Sequence, residues 1–137
     1  IRLSGSSLRN LHPDERSTAA LIRAALETRE EAVGHREVES SPGVFVSKRG
    51  LADVLDAIEP DGPIVQLHEA GSPVVDLAPP AAPTVILSDH RDFTEGEEGL
   101  LAEHVDERVS LGPERIHADQ AIAVAHNYLD TDGYARY

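Results

Sequence analysis

The segment SLGPERIHADQAIAVAHNYLD, residues 110–130, decides the fold predicted for this chain. An apolar strand ends at Leu111, a Gly112-Pro113 turn follows, and a helix of small apolar residues runs from Ala118 to Leu129. Gly112 permits close approach of the main chain, and Pro113 stiffens the turn. Ligands of open α/β sheets bind outside the carboxyl ends of the strands, so this turn is a candidate binding loop.

Helices and strands alternate along the rest of the chain. Helices are predicted over 13–33, closed by Gly34, over 49–58, and from a Thr94 cap onward, where Glu97 completes a capping box. Strands are predicted over 44–46, 63–67, 84–87 and 108–111, with an edge strand over 74–77. The alternation predicts one α/β domain over 1–137, with a mainly parallel sheet and helices on both faces. We expect ligands at the strand ends near Leu67, Leu87 and Leu111.

Acidic residues dominate the charge. The chain has 25 acidic and 12 basic residues, a net charge of −13, and Lys48 is its only lysine. This pattern is typical of a halophilic protein from a high-salt cytoplasm, and it concerns solubility rather than fold. It does not exclude a nucleic-acid partner, because strong salt screens the repulsion within a few ångströms and a local arginine patch can still bind phosphate.

Several functional classes lack their motifs. The chain has no cysteine, which excludes disulfides and thiolate chemistry. No apolar run reaches the roughly 18 residues of a membrane span, so a cytoplasmic location and no membrane partner are expected. Gly-x-Ser-x-Gly and phosphate-loop patterns are missing.

Metal binding is also disfavoured. His117 and His126 lie on opposite faces of the last helix, and no histidine pair has the i, i+4 spacing of a helical zinc site. We therefore expect no metal, with a metal-dependent hydrolase as an alternative. What remains is a cofactor that is held by shape and by backbone groups.

Three segments carry a resemblance to a known family: LRNLHPDERSTAALIRAAL (8–26), VILSDHRDF (85–93) and RVSLGPERIHADQAIAVAHNYLD (108–130). Together, in this order and spacing, they resemble the archaeal tRNA pseudouridine-N1-methyltransferase family of the SPOUT superfamily. The similarity extends from about Arg2 to Tyr137. It implies a deep C-terminal trefoil knot and a homodimer that packs through the knot region. Family members carry a further N-terminal segment, so the chain is expected to lack its N-terminal portion.

The resemblance also implies a cofactor and a substrate. The cofactor is S-adenosyl-L-methionine, and the substrate is the pseudouridine of the TΨC loop of tRNA, which is methylated at N1. The implied cofactor-binding residues are Leu67, Leu87, Ser88, Leu111, Gly112, Pro113, Ile116 and Ala121. Relatives often have cysteine at the position of Ala121 and glycine at that of Ser88, so these two contacts differ from the family pattern.

The remaining implied residues lie near the start of the chain. Asp14 is the candidate catalytic carboxylate, which accepts the N1 proton or orients the base, and a helix N-terminal charge is an equal rival for its role. Arg9 and Arg16 are candidate RNA-binding residues, with a solvated helix face as the rival interpretation. Two alternative functions within the superfamily are a catalytically silent RNA-binding SPOUT dimer and a ribosomal RNA pseudouridine-N1-methyltransferase.

Overall fold

The structure, a computed structural model, describes residues 1–9, 11–12 and 14–137. Contacts divide the chain into an N-terminal unit, 1–54, and a C-terminal unit, 55–137. In chain order the elements are β1 Arg2–Leu3, α1 Glu15–Glu27, β2 Val38–Ser41, β3 Val44–Val46, α2 Leu51–Asp56, β4 Ile64–Pro73, β5 Thr84–Ile86, α3 Glu95–Ala102, β6 Glu107–Ser110 and α4 Ala118–Asp130. Short 3-10 turns follow α1 and β4, over Thr28–Glu31 and Val74–Asp76.

The N-terminal unit contains an antiparallel sheet in the order β1-β3-β2, and α1 contacts β2 and β3. Its apolar core includes Ala25 of α1 with Val44 and Val46 of β3, all of them buried. The strand over 44–46 was predicted, whereas β1 and β2 were not. Both are short and polar, and they are strands because β3 pairs with them on either side.

Helix α1 is shorter than the predicted helix over 13–33. The α-helix ends at Glu27, and Thr28 is its C-cap. The hydroxyl of Thr28 donates a hydrogen bond to the carbonyl oxygen of Ala25 at 2.8 Å, which offers the backbone an alternative to further helical bonds. Gly34 does have a positive φ of 56°, but it lies beyond the helix end. Pro13, the predicted first residue of this helix, lies outside the described residues. Helix α2, Leu51–Asp56, covers only part of the helix predicted over 49–58.

The C-terminal unit contains a parallel sheet in the order β5-β4-β6. Val65 pairs with Val85 on one side, and Gln66 pairs with Arg108 on the other. Helix α4, which was predicted with nearly its observed bounds, packs on this sheet through Tyr128. The Tyr128 hydroxyl donates a hydrogen bond to the Leu77 carbonyl at 2.5 Å. The buried core of this unit is formed by Val65, Val74, Val109 and Tyr128.

Strand β4 differs from the prediction that it ends at Leu67. It continues to Pro73, and Leu67 and Ser72 both pair with Val109 of β6. A strand residue has one strand neighbour on each side, so the two parts of β4 lie along opposite sides of β6. The chain crosses at Gly71, where an added Cβ would lie 2.5 Å from the Val109 nitrogen. Only glycine allows an approach this close.

The edge strand predicted over 74–77 is wrong, because this segment begins with a 3-10 turn. Leu77 donates its backbone N–H to the Val74 carbonyl at 3.2 Å. Pro73 precedes the turn and has no N–H to continue a strand ladder.

The mixed α/β class and the parallel sheet are confirmed. Parallel pairing is nevertheless confined to the C-terminal unit, so the prediction of a mainly parallel sheet missed the antiparallel one. Among the described residues, no helix is both long enough and apolar enough to cross a membrane.

Candidate functional site

A cavity of about 680 Å³ lies in the C-terminal unit, where the parallel strands reach their carboxyl ends. Its walls come from the part of β4 that leads into the crossing at Gly71 (residues 68–71, the β4 crossover), from the loop after β5, and from the segment that joins β6 to α4. The lining residues lie in 66–69, 87–90, 92–93, 109–112 and 114–119, together with Glu98 and Ala121. This is the edge of the sheet at which the sequence predicted a ligand.

Most of the cofactor residues implied by the resemblance are brought together here. Those that line the cavity are Leu67, Leu87, Ser88, Leu111, Gly112, Ile116 and Ala121. Pro113 is not among the lining residues. Protein packing does not require the glycine at position 112, because an added Cβ would meet no protein atom within 4 Å. The Gly112-Pro113 turn is stabilised by Ser110, whose hydroxyl donates a hydrogen bond to the Gly112 carbonyl oxygen at 2.8 Å.

The three other predicted residues belong to the N-terminal unit. Asp14 is the N-cap of α1, and its Oδ1 accepts a hydrogen bond from the Ser17 backbone N–H at 2.8 Å. Hydrogen bonding from Ser17 lowers the pKa of Asp14 below its ordinary value. Arg9 and Arg16 are both exposed. The structure therefore gives Asp14 a capping role, while the catalytic and RNA-binding roles stay predictions.

Sequence reasoning missed a polar network on the cavity wall, which has the buried Gln66 at its centre. Gln66 is fully buried, and its Nε2 donates to Glu98 Oε1 at 3.0 Å. Its Oε1 accepts from Arg108 Nε at 2.9 Å, and Arg108 also pairs directly with Glu98. The one sequence signal was a glutamine inside the apolar strand that runs through Val65 and Leu67. The network anchors a carboxylate of α3 at the cavity.

A second ion-pair network joins the loops of the cavity. Arg115, between β6 and α4, places its Nε 2.6 Å from Glu69 Oε2 and its Nη2 2.5 Å from Asp92 Oδ1. Glu69 lies in the β4 crossover, and Asp92 lies in the loop after β5. One guanidinium thus bridges three wall segments.

Negative charge is in excess around the cavity. Six carboxylates line it, those of Glu69, Asp89, Asp92, Glu98, Glu114 and Asp119. Arg115 is the one arginine or lysine among the described lining residues. Such a site attracts a cation and repels phosphate groups.

Histidines also reach the cavity, at His68, His90 and His117. His68 Nδ1 accepts a hydrogen bond from the Ala70 backbone N–H at 3.0 Å, so this ring nitrogen is used within the crossover. Within the part of the chain that the structure describes, no three histidine or carboxylate side chains are grouped so as to hold a metal ion.

Comparison with known proteins agrees with this picture. A family model described as "Putative SAM-dependent RNA methyltransferase" matches residues 1–134. A tRNA (pseudouridine(54)-N(1))-methyltransferase of Natronomonas pharaonis is 59% identical over 137 residues, which cover the whole chain and 69% of the relative. The enzyme of the same name from Haloarcula marismortui has the same identity and coverage. That of Methanocella arvoryzae is 40% identical over 126 residues, or 92% of this chain and 63% of the relative. The chain belongs to the SAM-dependent RNA methyltransferase family.

Proposed function

We propose that this chain methylates N1 of pseudouridine 54 in tRNA, with S-adenosyl-L-methionine as the methyl donor. The observation that carries the proposal is the cavity at the strand ends, in a chain that is 59% identical to enzymes of this name. The reaction is proposed to take place in the cytoplasm.

The cavity fits this donor in size, polarity and charge. Ligand pockets commonly measure about 300–1,000 Å³, and this one falls within that range. Leu67, Leu87, Leu111 and Ile116 supply an apolar wall for the adenine, while neighbouring main-chain groups supply donors and acceptors. The donor carries a net positive charge, which the excess of carboxylates complements. The sulfonium supplies an electrophilic methyl group when the donor is bound.

The acceptor nitrogen must lose a proton during transfer. Pseudouridine is joined to ribose through carbon, so its N1 still bears hydrogen. We assign Asp14 to this step, either as the proton acceptor or as the group that orients the base. The lowered pKa of Asp14 makes its carboxylate a weak proton acceptor. It therefore favours the second role, in which Asp14 orients the nucleobase. Arg9 and Arg16 are assigned to RNA contacts, since phosphate contacts fix the register of a nucleic acid on a protein.

The C-terminal trefoil knot and the homodimer belong to the same proposal. The support for the knot is that β4 runs along both sides of β6, so the chain must pass around that strand. The homodimer that packs through the knot region is carried over from the family resemblance.

The test is incubation of the intact protein with S-adenosylmethionine and tRNA that carries pseudouridine at position 54, followed by nucleoside mass analysis. We expect N1-methylpseudouridine, and we expect no product from the same tRNA with uridine at this position. Methylation of a uridine or a guanine would contradict the assignment. Calorimetry that detects no donor binding at millimolar concentration would instead favour a silent RNA-binding protein.

A further inference from the structure

The geometry points to Arg115 as a positioning residue that holds the three loops of the cavity in the arrangement that binds the methyl donor. The inference rests on the proposed function, because it takes the cavity as the donor site. It concerns a residue that lies between two of the implied cofactor residues, Pro113 and Ile116, and that none of the sequence patterns singled out.

The contacts of Arg115 join segments that are distant in sequence. Its Nε lies 2.6 Å from the carboxylate of Glu69 in β4, and its Nη2 lies 2.5 Å from that of Asp92 in the loop after β5. Asp92 is 23 residues away along the chain. The planar guanidinium holds both acceptors in a fixed relative geometry, which the single ammonium of a lysine does not.

These ion pairs contribute little to global stability. The side chains of Arg115, Glu69 and Asp92 are 65%, 54% and 72% exposed, respectively. Exposed pairs are typically weak, because solvent screens them and long side chains lose entropy. Their effect is therefore local, since they restrict loops that would otherwise have to be ordered when the donor binds. Preorganisation of this kind lowers the free-energy cost of binding.

Charge must be separated from geometry in the test. Arg115 places one positive charge between two of the cavity carboxylates, so its removal also makes the site more negative and more attractive to the cationic donor. S-adenosylhomocysteine has the same shape without the methyl group and a neutral sulfur. Its affinity reports the loss of loop order without this electrostatic compensation.

The experiment is calorimetric titration of the intact protein with S-adenosylhomocysteine and with S-adenosylmethionine. For Arg115→Ala we expect the Kd for S-adenosylhomocysteine to rise about tenfold, with a smaller rise for S-adenosylmethionine and an almost unchanged Tm. Arg115→Lys should recover part of the affinity. In the methylation assay, KM for the donor should rise while kcat changes little. The control is Arg23→Ala, which removes a more exposed ion pair with Glu27 on α1.

A double-mutant cycle separates positioning from direct contact with the ligand. Glu69→Ala should weaken S-adenosylhomocysteine binding, and Arg115→Ala combined with Glu69→Ala should bind no more weakly than Arg115→Ala alone. The inference is overturned if Arg115→Ala binds within twofold of the unaltered protein, or if Glu69→Ala has no effect. If the unaltered protein binds neither ligand, the proposed function fails and this inference with it.

Discussion

Gly71 shows how one residue sets the geometry of the cavity. It lies where β4 crosses β6, and a Cβ there would approach the Val109 nitrogen to 2.5 Å and the Arg108 carbonyl carbon to 2.6 Å. Both neighbours are backbone atoms in a paired strand, so neither can move aside cheaply. The close approach of the β4 crossover to the backbone of β6 therefore requires a glycine at position 71.

We predict that Gly71→Ala destabilises the protein by roughly 3 kcal/mol, at the upper end of overpacking effects. Urea denaturation followed by circular dichroism measures the change. The matched control is Gly99→Ala within α3, where an added Cβ meets nothing within 4 Å. That variant should gain roughly 0.5–1 kcal/mol, because alanine loses less entropy in a helix. A Gly71→Ala variant as stable as the unaltered protein would contradict the close crossing.

Some residues of the cavity could be predicted from the sequence, and others could not. Leu67, Leu87 and Leu111 were predictable, because each ends an apolar run and parallel strands bring their ends together. Gln66 and Arg115 were not, because their roles depend on partners far along the chain. Gln66 meets Glu98 at a separation of 32 residues and Arg108 at 42. Nothing in the local pattern specifies such a pairing.

At the scale of elements, α3 depends on its first turn. Thr94 and Glu97 form a reciprocal capping box, with the Thr94 N–H donating to Glu97 Oε2 at 2.8 Å. The helix is only 8 residues long, so its end groups are a large fraction of its backbone groups. Since α3 also carries Glu98 into the cavity wall, the cap helps to place a side chain that lines the cavity.

We predict that Thr94→Ala lowers the free energy of unfolding by about 0.5–2 kcal/mol, the usual cost of losing an N-cap. Thr94→Ser keeps the hydroxyl and should retain most of the stability. Thermal denaturation of the three proteins under one set of conditions gives the comparison. Equal melting temperatures for the alanine variant and the unaltered protein would show that the capping box contributes nothing measurable.

Elements were predictable where local signals determine them. The capping box of α3 and the run of small apolar residues in α4 are local signals. Helix α3 begins where predicted, and α4 has nearly its predicted bounds. Strands β1 and β2 were missed because pairing with β3 determines them, not composition. The continuation of β4 past Leu67 was missed for the same reason, since residues 72 and 73 are strand residues only by contact with β6.

Within the C-terminal unit, His104 makes stability depend on pH. Its Nδ1 lies 3.0 Å from the Leu100 carbonyl oxygen, and its Nε2 lies 3.0 Å from Asp56 Oδ1. Both partners are oxygen acceptors, so only the protonated ring can donate to both. The bond to Leu100, followed by that to Asp56, raises the pKa of His104 above its ordinary value of 6.5. The favourable contribution to folding is thus complete below pH 6.5 and is lost as the pH rises through the raised pKa.

We predict that the Tm of the unaltered protein falls relative to that of His104→Gln as the pH rises from 6.5 through the raised pKa of His104. Melting curves recorded by circular dichroism at constant salt measure the difference. The control is His126→Gln, which changes an exposed histidine of α4 and should leave the pH profile intact. A His104→Gln profile parallel to that of the unaltered protein would show that the ring bonds do not favour the protonated state.

The double pairing of β6 bears on how the protein is made. Both parts of β4 are synthesised before Glu107–Ser110, so neither has its β6 partner until that strand has left the ribosome. A nascent chain that ends before Glu107 has no partner for Ser72 and lacks the cavity wall that residues 109–121 supply. The sheet and the cavity can therefore be completed only once β6 and α4, which are synthesised last, are both present.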